Sequence, residues 1–301
     1  MLNCSSGCDR HLKNAKTEKV MLNPTDFKKS IQTIEALGMT PAVLVKAIEM
    51  AQDPNTDMEN FSALLRNDGP LSADIIRISN SPYYAPATPH SNLLSAISQL
   101  GFGEVIHVIN LSLARQLFAR DLPSYGVLAR DYWSASITAA LVMEALAQVT
   151  DLVSEDAYTV GILHPIGRVL INHVIEEKGF SIYWDCQRPI EEWELAAVGF
   201  NFADAGALLL EHWRFPAAIC DVIRNQLVPV PDQQTLTMAG ILQFAKRLLA
   251  LTGPTFQFET WEYPVNDPFI QAARLSEPTL RELVSGCRDN YRKILQTVDF
   301  P

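Results

Sequence analysis

From Pro41 onward, the chain divides into segments of ten to twenty residues in which apolar side chains recur three and four positions apart. Val43, Ala47, Ile48 and Ala51 show this spacing, which places their side chains on one face of an α-helix. Strand-like alternation of apolar and polar residues is almost absent. The pattern predicts an all-α protein built from short helices.

Capping residues and first-turn prolines mark where these helices start. The predicted starts are Thr40 before Pro41, Gly69 before Pro70, Ser91, Ser154 and Thr235. Turn signals at 53–55 and 68–70 leave two helices of roughly eleven residues each between residues 41 and 67. Segments 103–119 and 137–146 are apolar nearly all round the helical wheel, which predicts two central buried helices.

Breaks in the helical pattern suggest how the chain is divided. Residues 1–25 show little hydrophobic periodicity and are interpreted as a loose arm. Pro123, Ser124 and Gly126 interrupt the pattern, so we expect an N-terminal helical subdomain at 26–122 and a C-terminal one at 128–301. In segment 252–268, aromatic residues (256–263) alternate with polar ones. In one interpretation this segment is a lid or a partner surface. In the other it is a connection between two helices that is held in place by its aromatic side chains. A final helix over 278–297 should present an ordinary solvated face.

Composition narrows the class of protein. The 301 residues are 48% hydrophobic, enough to bury a sizeable core, and their net charge of −10 disfavours direct binding to nucleic acid or to an anionic membrane. The most apolar stretches fall short of the roughly 20 residues that cross a bilayer, so no membrane is expected. Five scattered cysteines without an apolar leader indicate reduced thiols and a cytoplasmic location.

Most motifs that carry chemistry are missing. The chain has no phosphate-cradling Gly-Lys-Ser/Thr loop, no Gly-x-Ser-x-Gly elbow and no His-Glu-x-x-His helix. Gly101 and Gly103 begin a dinucleotide fingerprint, but Ile106 stands at the third glycine position. Cys4, Cys8 and His11 would supply only three ligands to a zinc ion, so a disordered arm is preferred. No cofactor is predicted.

The segment 161–168, Gly-Ile-Leu-His-Pro-Ile-Gly-Arg, resembles the Gly-Leu-Leu-His-Asp-Ile-Gly-Lys signature of the HD superfamily of metal-dependent phosphohydrolases. In that superfamily, adjacent His and Asp side chains bind a divalent metal that activates water. His164 matches the histidine, whereas Pro165 replaces the aspartate and has no lone pair to give a metal.

The resemblance implies that the other ligand positions have also changed. Ala135 stands at the upstream histidine position, and Lys246 takes the place of the aspartate in the family's Ala-Asp-Arg motif. Phe202 and Gln226 match two further positions that often carry histidine. One imidazole cannot hold a catalytic metal, so metal binding is not expected, and His164 is interpreted as a helix-end histidine bonded to backbone.

Three further segments are similar, in this order, to HDOD proteins, the HD-related output domains. They are 64–71, then 75–84 with its Arg-x-Ser-Asn-Ser block, then 94–101, and the whole resemblance covers 34–251. It implies that both subdomains form one HD-like helical unit. Arg77 and Asn80, close to Tyr83, are interpreted as part of a helix terminus, or as a polar cluster that joins the halves or contacts a small anion.

The resemblance implies a non-enzymatic module of bacterial signal transduction that docks onto other signalling proteins. The alternative is a sensor of a nucleotide messenger, such as a cyclic dinucleotide, with Arg168, Lys246 and Arg247 holding phosphate. The alternative to a phosphate-bound Lys246 is the commoner arrangement in which the lysine side chain reaches solvent. A third hypothesis is a residual phosphohydrolase that combines His164 with Asp204 or Asp156.

Overall fold

Helices form the architecture of the residues that the structure describes. The structure is a computed structural model, and it describes residues 29–31, 41–150, 152, 156–184, 188–231, 236–252, 263–264 and 266–297. Within these ranges there is no β-strand, and the predicted all-α class is confirmed. The helices with complete bounds are α1 (Ala42–Gln52), α2 (Met58–Arg66), α3 (Gly69–Ser79), α4 (Leu93–Leu117), α5 (Ala129–Val149), α6 (Ala157–Leu163), α7 (Gly167–Glu177), α8 (Ile190–Val198), α9 (Phe202–His212), α10 (Ala217–Asn225), α11 (Met238–Thr252), α12 (Pro268–Ala273) and α13 (Glu277–Thr297).

The first three helices pack on α4 through the apolar faces that the sequence pattern predicted. The starts of α2 and α3 are set by side-chain caps, since Asp57 accepts a hydrogen bond from the Asn60 amide and Asp68 accepts one from the Leu71 amide. The two helices predicted between residues 41 and 67 are confirmed as α1 and α2. The start predicted at Ser91 is wrong by one residue, because the Asn92 side chain caps α4.

Helix α4 has two arms that meet at Gly101, whose φ of 78° lies in the left-handed region that favours glycine. The second arm covers most of the predicted helix 103–119 but ends at Leu117, two residues before the predicted end, and its side chains are buried on most sides, as expected. By length and composition α4 could cross a membrane, and the bent pair α8 and α9 passes the same test jointly. The expectation that no apolar segment is long enough is therefore too strict. However, α4 reaches the length only across the break at Gly101, and 44% of its most apolar window is buried inside the protein.

A short connection links α4 to the second half of the chain. It contains a 3₁₀ turn at Pro123–Tyr125 and one antiparallel bridge between Leu122 and Val127. Its backbone is held by α7, because the Ser124 amide donates a 3.1 Å hydrogen bond to Asn172 Oδ1. The predicted interruption of the helical pattern is thus present, whereas the division into subdomains at this point stays a prediction.

The second half is built around α5, which contacts α6, α11 and α13. Residues 137–146 are buried as predicted, within a helix that extends further at both ends. The final helix begins at Glu277, one residue before its predicted start. The predicted arm at 1–25 with Cys4, Cys8 and His11, the starts at Thr40, Ser154 and Thr235, and residues 253–262 and 265 of the aromatic segment lie outside the described residues.

Candidate functional site

The bend between α6 and α7 is held in place by two glycines of the 161–168 motif. A Cβ atom at Gly161 would overlap the backbone of Ala140 on α5, and one at Gly167 would overlap the carbonyl oxygen of Phe202 at the start of α9. Glycine is therefore required at both positions, because each helix pair approaches too closely for any side chain. This packing places His164 and Arg168 next to α9.

His164 lies at the C-terminal end of α6. Its Nδ1 atom lies 2.7 Å from the backbone oxygen of Gly161, and burial, assisted by the charge of Lys246, lowers the pKa of His164 to about 3. The imidazole is therefore neutral near pH 7, and because Nδ1 faces a carbonyl acceptor, it carries the proton. This is the backbone-bonded, helix-end position that the sequence suggested for His164.

Two cations flank one buried aromatic ring beside His164. The guanidinium carbon of Arg168 lies 3.9 Å from the centroid of the Phe202 ring, and Lys246 Nζ lies 5.5 Å from the same centroid. Phe202 is 1% exposed. Both distances fall within the range of cation–π attraction. We call Arg168, Phe202 and Lys246 the cation stack.

Glu194 balances part of this positive charge. It is fully buried; its Oε1 atom lies 3.5 Å from Arg168 Nε and accepts a 3.0 Å hydrogen bond from the Tyr125 hydroxyl. Its Oε2 atom accepts a 2.8 Å hydrogen bond from the Phe202 amide. Burial raises the pKa of Glu194 to about 7, against the opposing effect of Arg168. The sequence analysis missed Glu194, although its spacing from Ile190 places its carboxylate on the apolar face of α8.

Gln226 joins the stack to the histidine. Its Nε2 atom donates a 2.8 Å hydrogen bond to the backbone oxygen of His164, and its Oε1 atom lies 3.4 Å from Lys246 Nζ. Burial, and then the charge of Arg168, lowers the pKa of Lys246 to about 8. Lys246 is half-buried, and its ammonium lies between Gln226 and the Phe202 ring.

The residues of this pocket do not fit a divalent metal ion. Ala135 and Pro165 offer no side-chain donor, a phenyl ring stands at 202, and the ammonium of Lys246 would repel the ion. Among the described residues, one group of three His, Cys, Asp or Glu side chains lies close enough to share an ion. That group does not include His164.

The other candidate residues lie away from the stack. Arg247 donates two hydrogen bonds, of 2.6 and 2.9 Å, to Asp267. The guanidinium that was expected to hold phosphate is therefore already paired with a carboxylate. Arg77 donates a 2.5 Å hydrogen bond to the backbone oxygen of Thr297. Asn80 bonds the backbone of Ile76 and His90, and Tyr83 lines a separate cavity of about 400 Å³. Of the predicted ligand contacts, the structure brings together only His164, Arg168 and Lys246.

An all-helical fold with an HD-type motif at the bend between α6 and α7, but without the metal-ligand set, defines a class of HD-related helical domains. The HDOD domain family profile matches residues 37–229, almost two thirds of the chain. The chain belongs to the HDOD domain family.

Solved structures share this fold at low sequence identity. An HDOD domain protein of unknown function from Geobacter sulfurreducens is 20% identical with a TM-score of 0.57, covering 92% of this chain and 90% of its own. A proposed signal transduction protein from Marinobacter aquaeolei VT8 is 21% identical with a TM-score of 0.65, and the match covers 90% of this chain and 64% of the Marinobacter chain. A proposed phosphohydrolase from Shewanella amazonensis SB2B is 20% identical with a TM-score of 0.62, and the match covers 90% of this chain and 98% of the Shewanella chain.

A curated protein from Treponema pallidum, described as uncharacterized, is 20% identical over 208 residues. The match covers 66% of this chain and 40% of the Treponema protein, so this chain corresponds to less than half of that relative. These likenesses establish the fold, and the family profile establishes the family.

Proposed function

We propose that this HDOD protein is a non-enzymatic regulatory module of bacterial signal transduction, and that its output is docking onto another signalling protein. The observation that carries the proposal is the cation stack of Arg168, Phe202 and Lys246 beside His164. Membership of the HDOD family supports a regulatory role. The likeness to the proposed signal transduction protein from Marinobacter is consistent with it.

The chemistry of the pocket argues against phosphoester hydrolysis. A catalytic metal site needs about three protein ligands and one open position for water. Here the motif supplies one neutral imidazole, and two half-buried cations lie on the Phe202 ring next to it. Because Glu194 and Gln226 hold these cations, admitting a metal ion would require breaking a buried hydrogen-bonded network.

Turnover of phosphoesters tests the absence of catalysis. The purified chain, stripped with a chelator and then supplied with Mn²⁺ or Fe²⁺, is assayed with a phosphodiester, a phosphomonoester and a cyclic dinucleotide, beside the His164→Ala variant. We expect the wild type and His164→Ala to give the same rate as buffer with metal. Metal-dependent turnover that His164→Ala removes, with its fold intact by circular dichroism, would overturn the proposal.

Docking is tested by proximity labelling in the cell of origin, with the chain fused to a labelling enzyme. Lys246→Met, which removes one cation of the stack and is expected to fold, is the matched control. We expect the wild type to enrich one defined signalling protein, with the enrichment lost in the control. A labelling profile that is identical for both proteins would contradict docking through this pocket.

One observation favours the nucleotide sensor as a second candidate. Lys246 is half-buried, and the hydrogen bond of its Nζ atom to Gln226 is a long one of 3.4 Å. A phosphate oxygen would be a stronger partner for this ammonium. Calorimetric titration with cyclic dinucleotides compares the wild type with Lys246→Met, with Arg247→Gln as control because its side chain is paired with Asp267. Binding that Lys246→Met abolishes and Arg247→Gln retains would establish the sensor, and no binding would leave docking as the function.

A further inference from the structure

A second cluster of ionisable side chains lies where α4 packs near α5. Glu104 and His107 are three positions apart on the second arm of α4, and Glu144 comes from α5. One potential ligand atom from each of the three residues lies within 4.8 Å of the others. The His107 ring is stacked on Tyr158 with 4.2 Å between ring centroids, which fixes the plane of the imidazole. We call these three residues the Glu-His-Glu triad.

The triad places one carboxylate beside each ring nitrogen of His107. His107 Nδ1 lies 3.6 Å from Glu104 Oε2, and His107 Nε2 lies 3.5 Å from Glu144 Oε1. Both separations exceed those of N–H···O hydrogen bonds. One ion binds one imidazole nitrogen, and ligands held at about 2.1 Å from it are separated by roughly 3 to 4 Å. One ligand atom of each residue already lies within 4.8 Å of the others, so a shared ion requires the carboxylate beside the other nitrogen to turn toward it.

Open space adjoins the triad on two sides. A cavity of about 400 Å³ between α5 and α13 is lined by Glu104 and Glu144, and a smaller one of about 190 Å³ is lined by Glu104 and Tyr84. The buried hydroxyl of Tyr84 makes no hydrogen bond of normal length among the described residues and interacts with the Glu104 carboxylate. Water or a small ligand on an ion at the triad would have room in the larger cavity and would offer an acceptor to Tyr84.

We propose that the Glu-His-Glu triad binds one divalent first-row metal ion, with the remaining coordination positions open to the larger cavity. One imidazole and two carboxylates suit Mn²⁺, Fe²⁺ or Zn²⁺. With a neutral imidazole the triad carries two negative charges, which match the charge of the ion. The site is separate from the pocket of His164, and it does not depend on the function proposed for that pocket.

Metal titration of the full chain tests the site. Chelator-stripped protein is titrated with Zn²⁺ and separately with Mn²⁺ in a calorimeter, and bound metal is counted by elemental analysis. We expect one ion per chain, with a dissociation constant at least tenfold higher in both Glu144→Gln and His107→Gln. Burial raises the pKa of Glu144, so its neutral replacement should fold, and circular dichroism of the metal-free variants verifies this.

Two controls locate the ion. Glu282→Gln removes a carboxylate that lines the same cavity without belonging to the triad, and Lys246→Met alters the other pocket. Both should bind metal as the wild type does. The proposal is overturned if the wild type binds no stoichiometric metal, if both triad variants bind as tightly as the wild type, or if Glu282→Gln weakens binding as much as Glu144→Gln.

Discussion

At the residue scale, two cations lie on the Phe202 ring beside His164, and one of them, Lys246, stands where the resemblance to the HD superfamily places a metal-binding aspartate. Lys246 is half-buried near Arg168, and this partial burial lowers its pKa. The motif residues His164, Pro165 and Lys246 could be identified in the sequence. The partner Glu194 was not singled out because it is one of three glutamates in α8, and only its four-residue spacing from Ile190 marks it as facing the core.

The cost of burying Lys246 predicts a pH-dependent stability difference. The folded state holds the Lys246 pKa near 8, below the unfolded value of about 10.5, so the unfolded state binds more protons between these values. Lys246→Met should therefore raise the free energy of unfolding by about 3 kcal/mol below pH 8. This gain should shrink as the pH rises through 8 to 10.5. Urea unfolding of both proteins at pH 7, 9 and 10.5 measures it, and a gain that is constant with pH would contradict burial of the ammonium.

Removing the carboxylate that faces Arg168 should destabilise the fold. Glu194→Leu leaves the buried guanidinium without its ion pair and the Tyr125 hydroxyl without its acceptor, at a cost of about 3–5 kcal/mol. Glu194→Gln keeps an acceptor oxygen, and the pKa of Glu194 is already raised to about 7, so its cost near pH 7 should be much smaller. Thermal unfolding at pH 7 compares the two variants. Equal losses would show that the carboxylate does not balance Arg168.

At the element scale, the helices could be predicted from apolar spacing, capping residues and turn signals. The bounds of α1, α2 and α13 agree closely with the pattern because polar caps and prolines mark them locally. The break at Gly101 could not be placed, since apolar residues continue through it. The approach of α7 to α9 was also hidden, because the need for glycine at 167 arises from a helix that is distant in sequence.

A matched pair of glycine substitutions tests this packing. Gly167→Ala would drive a methyl group into the Phe202 carbonyl, and it should destabilise the protein by about 3 kcal/mol or more. Gly286→Ala places the same methyl group on α13 with nothing within 4 Å, and it should stabilise the protein by about 0.5–1 kcal/mol. Chemical denaturation gives both values. Effects of the same sign would contradict the close approach at Gly167.

At the scale of the whole molecule, α13 connects the two ends of the described chain. Its Tyr291 hydroxyl donates a 2.8 Å hydrogen bond to Ser134 on α5, and its last residue, Thr297, accepts a hydrogen bond from Arg77 on α3. The sequence offered a polar cluster joining the halves as one interpretation of Arg77. Its partner could not be predicted, because a backbone carbonyl 220 residues away leaves no mark in the sequence.

The contact of Arg77 with α13 predicts a local change in dynamics. Arg77→Met should increase amide hydrogen exchange in the last turn of α13, with a loss of less than about 1 kcal/mol in global stability, since the side chain is partly exposed. Arg281→Met, near the start of the same helix, is the control and should leave that turn unchanged. Exchange measured by mass spectrometry decides between them. Unchanged exchange in Arg77→Met would show that the contact does not hold the helix end.

The cation stack of Arg168, Phe202 and Lys246 beside His164 is the feature on which the proposed function depends most. The most direct test is the pKa of the Lys246 side chain, measured by NMR of protein labelled at lysine, with Lys246→Met used to assign its signal. A pKa near 8 is the result that the cation stack predicts. A pKa near the ordinary lysine value of about 10.4 would place the ammonium in solvent, and it would contradict the occupied pocket.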